Sequence, residues 1–206
     1  LEVLRALIQQ PGFGQGQQSV GAELEFYIVD AQGMTSAING EILNKIGSDL
    51  WQPELNKFNI EYNLNPQPLA GTPFSALAED INTAWDSANK LASPLHSSLV
   101  PIGILPTLRE TDFGLNSMTE IPRYRALADG LRSMRGGPFK INIQGEENLN
   151  IQADDVTLEG ANTSFQFHWR MPYDHFVNAF NAIQMITPLT VALSSNSPIL
   201  FHKNLW

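Results

Sequence analysis

The chain has 206 residues and no cysteine. That absence excludes disulfides, thiolate nucleophiles and cysteine-ligated metals. Its four histidines, His96, His168, His175 and His202, fall in no HExxH-like spacing. A metal site would therefore rest on oxygen ligands, which suit Mg²⁺, Mn²⁺ or Ca²⁺. Positive charge is scarce as well. Twelve Lys and Arg stand against 21 Asp and Glu, a net charge of −9 with no basic stripe, so nucleic acid is not expected as a partner. No apolar run reads as a membrane span, and no basic segment leads into an apolar one as a signal peptide would. The expectation is a cytoplasmic protein without a membrane partner. Hydrophobic residues make up 43% of the chain, enough to bury a sizeable core.

Glycine is concentrated in PGFGQGQQS, where Gly12, Gly14 and Gly16 suggest a phosphate loop. Such loops follow a strand and open a helix. These glycines precede the strand and no GK[ST] follows, so the segment reads as a flexible connector.

That strand is GAELEFYIVD, residues 21–30. Side chains alternate between the two faces of a strand. Leu24, Phe26 and Ile28 share one face; Glu23 and Glu25 share the other with Tyr27 and Val29. A second strand in PELNKFNIEYNLNP repeats the pattern. Phe58, Ile60 and Tyr62 lie opposite Asn59, Glu61 and Asn63, with Glu54 seven residues before Glu61. In NTSFQFHWRM, Phe165, Phe167 and Trp169 lie opposite Ser164, Gln166 and His168. In FKINIQG, Ile141 and Ile143 lie opposite Lys140, Asn142 and Gln144.

Around these strands the 3.6-residue period predicts helices over LEVLRALIQQ, NGEILNKIGSDLW, about Pro73 to His96, and PRYRALADGLRSMRGG. A long apolar helix covers PYDHFVNAFNAIQMITPLTVALSS, with Pro188 expected to kink or end it. LVPIGILPTL reads as a buried strand ending at Pro106. The fold class is α+β with a mainly antiparallel sheet, in a single domain over residues 1–206.

A solvated sheet face usually mixes Lys, Glu and Thr, whereas these faces carry Glu, Asn and Gln. Two carboxylates ~5 Å apart repel by about 3 kcal/mol at an effective dielectric of ~20. Converging carboxylates would raise one another's pKa unless a cation sat among them. The pattern alone leaves two readings open, a polar face in water and a cation site.

At these residues the sequence resembles the glutamate–cysteine ligase type 2, or carboxylate–amine ligase, family of the glutamine synthetase superfamily. GAELEF, ELNKFNIEYNLNPQPLAGTPF, GILPTL, PRYRAL, NTSFQFHW and ALSSNSPILFHKNLW carry the resemblance, in that order, over nearly the whole chain. It implies a curved antiparallel sheet with helices on its outer face. The concave face would hold ATP, Mg²⁺ or Mn²⁺, and the amino-acid and amine substrates. Glu23 and Glu25 match the family's first-strand metal pair, and Glu54 and Glu61 match the second. The activity implied is amide formation through an acyl phosphate, as in glutathione biosynthesis. Gln166 stands at a nucleotide-side position. Ser164 stands where several relatives have a metal-binding histidine, which makes His168 a candidate stand-in beside its reading as a hydrogen-bonded sheet residue.

Arg109, Arg123 and Arg125 read either as surface ion-pair residues or as clamps on carboxylate or phosphate. Arg109 is the candidate catalytic residue, because it follows GILPTL. Family members continue past the point matching Trp206, so this is expected to be an N-terminal portion, inactive alone, with self-association into a homo-oligomer left open. The competing reading is a non-catalytic nucleotide- or metabolite-binding homologue that keeps the fold.

Overall fold

The computed structural model describes residues 1–205. In chain order the elements are α1 (Glu2–Ile8), β1 (Ser19–Asp30), α2 (Asn39–Ile46), β2 (Trp51–Pro53), β3 (Asn59–Asn63), β4 (Gln67–Pro68), α3 (Pro73–Ala92), β5 (Ser97–Val100), α4 (Pro122–Arg135), β6 (Phe139–Gln144), β7 (Asn148–Ala153), β8 (Phe165–Arg170), α5 (Phe176–Ser194), β9 (Ile199–Leu200) and β10 (Lys203–Asn204), with short 3-10 turns between them. This is an α+β fold with antiparallel sheets. The chain divides into two compact units: Leu1–Ala22 with Leu64–Ile81 and Gln166–Ser195, and Glu23–Asn63 with Asn82–Phe165 and Asn196–Trp206.

In the larger unit, β1 is the centre of the sheet. It runs antiparallel to β3 on one edge and to β5 on the other, and β2 extends the sheet beyond β3. The alternation read from sequence holds for Phe26, Ile28, Ile60 and Tyr62, but Phe58 precedes β3 and packs instead on Tyr27, on the opposite face. Phe26, Ile28, Ile60 and Tyr62 are buried on one face. There the Phe26 ring lies 5.5 Å from Trp51 and 6.3 Å from Trp85. Trp85 is a large apolar residue with one polar atom, and its indole N–H donates to the Leu99 carbonyl at 2.8 Å. Asn89 accepts from the Leu99 N–H at 2.8 Å, so α3 is pinned to β5 by two side chains as well as by apolar burial. Burying one such aromatic or aliphatic side chain stabilises the fold by roughly 1.5–3 kcal/mol.

The opposite face changes character along its length. Glu23 and Glu25 occupy the first part; Tyr27 and Val29 then enter a second core with Phe58, Leu105, Leu108, Leu149 and Leu200. The carboxylates therefore sit at the rim of an apolar core rather than on an open surface. Tyr27 is fully buried and its hydroxyl donates to the Ala161 carbonyl. Burial, then the charge of Glu25, raises its pKa well above the usual phenol range.

Several local expectations are corrected. GILPTL is not a strand; β5 stops at Val100. Pro101 and Pro106 lack the N–H a ladder needs. The segment is held instead by the Ile104 N–H donating to Ser197 Oγ at 3.0 Å and the Thr163 N–H donating to the Gly103 carbonyl at 2.8 Å. Gly103 leaves room for that bond, since an added Cβ would lie 2.5 Å from Ser197 Oγ and force the serine to shift. FKINIQG is a strand, but it forms a separate two-stranded sheet with β7, which the sequence reading passed over. Lys140, Asn142 and Gln144 are exposed on that hairpin and do not extend the carboxylate face. Trp51 begins β2 rather than ending a helix, because Gly47, at φ 62°, closes α2 with a left-handed cap.

In the smaller unit, β4 pairs with Ser19 and Val20 of β1, and β8 also pairs with β1. The glycine-rich connector follows α1 and leads into β1, as its position in sequence implied. Gly14, at φ 65°, lies against Tyr173, and the Phe13 ring lies 6.4 Å from the same ring at a tilt of 46°. α5 continues through Pro188, where Thr187 and Thr190 donate their hydroxyls back to the carbonyls of Ile183 and Ile186. The expectation that no segment reaches span length is also corrected. The helix Tyr173–Ser194, 22 residues with an 18-residue window of mean hydropathy 1.4, is long and apolar enough to cross a membrane by length and composition.

Candidate functional site

The antiparallel register of β1 and β3 builds the carboxylate site. Glu23 is directly opposite Asn63, Glu25 opposite Glu61, and Tyr27 opposite Asn59. Directly opposed side chains on one face are nearest neighbours across a sheet, and like charges there are destabilising. Glu25 and Glu61 are such a pair, both half-buried.

Glu54 joins them from the bend between β2 and β3. Its pKa is pushed up to about 7, first by burial, then by the charges of Glu61 and Glu25, with Glu159 adding a little. The Leu55 N–H, 3.2 Å from Glu54 Oε2, opposes the rise only partly. Thr119 fixes the backbone at this point by donating its hydroxyl to the Glu54 carbonyl at 2.5 Å. The sequence pattern put Glu25 and Glu61 each on the polar face of its strand; that they face one another is set by the β1–β3 register. The spacing of Glu54 did not show that its carboxyl would be half-buried, because that follows from the bend.

Each facing carboxylate is oriented by a neighbour. The Ser164 hydroxyl donates to Glu25 Oε1 at 2.8 Å and its backbone N–H to Oε2 at 3.1 Å. Ser164, read from sequence as a lost histidine, thus grips the carboxylate at both oxygens. Asn63 Nδ2 donates to Glu61 Oε1 at 2.9 Å. Asn59, on the same face as Glu61, is 2% exposed and its amide N and O have no hydrogen-bond partner among the described residues. Asn56 Oδ1 is likewise unpaired and buried, while its Nδ2 donates to the Thr157 carbonyl at 2.8 Å. A buried amide left unpaired costs roughly 1–3 kcal/mol.

The arginines sort differently from their order in sequence. Arg109 is exposed, donates its backbone N–H to Asp112 Oδ2 at 2.8 Å, and rests its guanidinium 3.4 Å from the Met34 sulfur. Arg123, at the start of α4, has its pKa raised first by its hydrogen bond to Tyr124, with the charges of Glu54 and Glu61 adding least. It donates to Tyr124 Oη at 2.8 Å and lies 4.7 Å over that ring, while the Tyr124 hydroxyl donates to the Pro53 carbonyl at 2.9 Å. PRYRAL therefore ties a positive charge to the strand that leads into Glu54. Gln166 and His168 lie on one face of β8 in the smaller unit, both exposed.

The donor chemistry suits a hard divalent cation: carboxylate oxygens and no soft ligand. A cation among Glu25, Glu54 and Glu61 would also remove the repulsion that raises the pKa of Glu54. No group of three acidic or imidazole side chains is already closed around one point among the described residues. The arrangement is a facing pair with a third, coupled carboxyl.

A family model described as glutamate-cysteine ligase family 2 (GCS2) matches residues 19–203. A search of curated proteins finds no match. The matched span holds both strands of the carboxylate site, the GILPTL and PRYRAL segments and β8, and the chain belongs to glutamate-cysteine ligase family 2.

Proposed function

We propose that this chain serves an ATP-dependent carboxylate–amine ligase of the cytoplasm, working on a curved, glutamine-synthetase-like sheet. The observation that carries the reading is Glu25 facing Glu61 across β1 and β3 with Glu54 held near neutrality beside them, in a chain of a ligase family. Glu25, Glu54 and Glu61, with Glu23 one register step along β1, would hold Mg²⁺ or Mn²⁺. The metal, when bound, neutralises charge on phosphate oxygens during transfer.

The chain's own groups have definable tasks. Ser164 fixes the orientation of Glu25, and Asn63 that of Glu61, so both carboxylates are presented rather than free to rotate. Glu54 carries a proton below neutral pH and gives it up when a cation approaches. Arg123, anchored by Tyr124, offers a positive charge that balances a phosphate or a substrate carboxylate. Gln166 is assigned to the nucleotide side by family position, His168 as a stand-in shifted along the strand from the histidine's place, and Arg109 to the reaction because it follows GILPTL. In the reaction a substrate carboxylate oxygen attacks the γ-phosphorus of ATP and ADP leaves. The amine nitrogen then attacks the acyl carbon, and phosphate leaves with that oxygen.

One observation favours a second reading, a binding protein without turnover: both Glu25 oxygens are already engaged by Ser164. ADP release by the whole product of the gene, with Mg²⁺ and a panel of amino acids and amines, separates the two. Release that requires both a carboxylate and an amine supports the ligase. Nucleotide binding with no release across the panel supports the second reading.

A further inference from the structure

In the larger unit a cavity of about 580 Å³ lies among α4, the β6–β7 hairpin and the 3-10 turn at Thr157–Ala161. Its wall is almost wholly apolar, built by Leu127 and Leu131 of α4, Phe139 and Ile143 of β6, Leu55 and Leu158. The volume is in the range of small-molecule sites, which combine apolar walls with a few placed polar groups. The space is an open cleft rather than a sealed void, with Leu127 of its wall exposed, so a ligand reaches it without opening the fold.

The charges on its wall have one sign. Asp155 and Glu159 line it, and no Lys or Arg does. Arg135 stacks on the Phe139 ring at 4.8 Å but is not part of the wall. Asp155 Oδ1 is held by the Thr157 N–H at 2.8 Å and by its hydroxyl at 2.5 Å, which fixes the carboxylate in place. The cavity also adjoins the carboxylate site. Leu55, in its wall, follows Glu54 in the chain, and the charge of Glu159 reaches Glu54.

We propose that this cavity binds an amine with an apolar, aromatic or branched-aliphatic body, its ammonium group directed to Glu159 and Asp155. As the acceptor amine of the ligase it rests on the function proposed above; as a binding site it does not. An apolar body removes the wall from water, and a cation among acidic groups is preferred over a neutral or anionic analogue of the same shape.

The test is calorimetric titration of the protein, without ATP, using tryptamine, 3-ethylindole and indole-3-propionate. These share one ring system and differ in charge. Tryptamine is expected to bind at least tenfold tighter than 3-ethylindole, and indole-3-propionate weakest. Glu159→Gln should shrink the tryptamine advantage several-fold while leaving 3-ethylindole unchanged. Ile143→Trp should fill the space and abolish binding of all three, with a retained melting transition showing that the variant folds; Leu131→Phe is the smaller alternative. No binding at millimolar concentration, equal affinity regardless of charge, or indifference to filling the cavity overturns the proposal. Tryptamine binding without ADP release supports the site and counts against the ligase. ADP release with polar amines only, and no indole binding, does the reverse.

Discussion

Glu54→Gln should stabilise the protein above neutral pH and leave it unchanged in acid. A carboxyl whose pKa is higher in the folded chain than in the unfolded chain binds its proton more tightly when folded. Its contribution is fully present below the unfolded value of 4.5 and is lost as pH rises through about 7. Over that window the ionised form is forced into a half-buried place beside Glu61 and Glu25. A rise from 4.5 to about 7 corresponds to about 3 kcal/mol. Solvent screening at a partly exposed site reduces this to about 2 kcal/mol. For a chain of this size 1 kcal/mol moves the melting temperature by about 2–4 °C, so the gain at pH 8 is roughly 4–8 °C. Glutamine keeps the volume and the acceptor oxygen for the Leu55 N–H. The assay is thermal unfolding of wild type and variant at pH 4.5, 6, 7 and 8 in a metal-free buffer. The wild type should lose ground to the variant between pH 4.5 and 7, and the gap should then level off. A variant that melts at or below the wild type at pH 8 would refute the placement of Glu54 among like charges.

Other perturbations give separate checks. Saturating Mg²⁺ or Mn²⁺ should raise the melting temperature of the wild type at pH 8, because a ion that binds only the folded state stabilises it; Glu61→Gln should give a visibly smaller rise. Ser164→Ala frees one side of Glu25 and should weaken Mn²⁺ affinity several-fold, read by titration calorimetry, while the melting temperature without metal moves by no more than about 2 °C. Phe26→Ala removes a ring packed between Trp51 and Trp85 and should destabilise by about 3–5 kcal/mol in urea unfolding. Tyr124→Phe loses the bond to the Pro53 carbonyl, at about 1 kcal/mol, and releases Arg123. An ATP-binding constant unchanged in that variant would argue that Arg123 does not serve the site.

Much of the carboxylate site was legible from period-two alternation. Glu23, Glu25 and Glu61 share a face because parity in a strand is fixed by backbone geometry, and β1 and β3 are regular over the residues concerned. Helix boundaries at Pro73, Pro122 and Gly136 were equally legible, since proline at a first turn and glycine at a left-handed cap have local causes. What the sequence did not disclose depends on long-range partners. GILPTL is apolar like a buried strand, yet Pro101 before it and Pro106 within it forbid the ladder, and Ser197, 93 residues from Ile104, supplies a bond instead. Ser164 is one serine among many until β8 and β1 meet. Arg123 was one of three arginines read as surface residues or clamps, with Arg109 preferred, because nothing local says that Tyr124 anchors to Pro53.

The central claim is that these carboxylates serve amide formation through an acyl phosphate. It is tested most directly by oxygen transfer. A substrate acid labelled with ¹⁸O in its carboxylate is turned over with ATP, Mg²⁺ and an amine that together support ADP release. The account predicts one ¹⁸O in each phosphate released, because the carboxylate oxygen that attacked phosphorus departs with it. Unlabelled phosphate, with ADP still released, would contradict it.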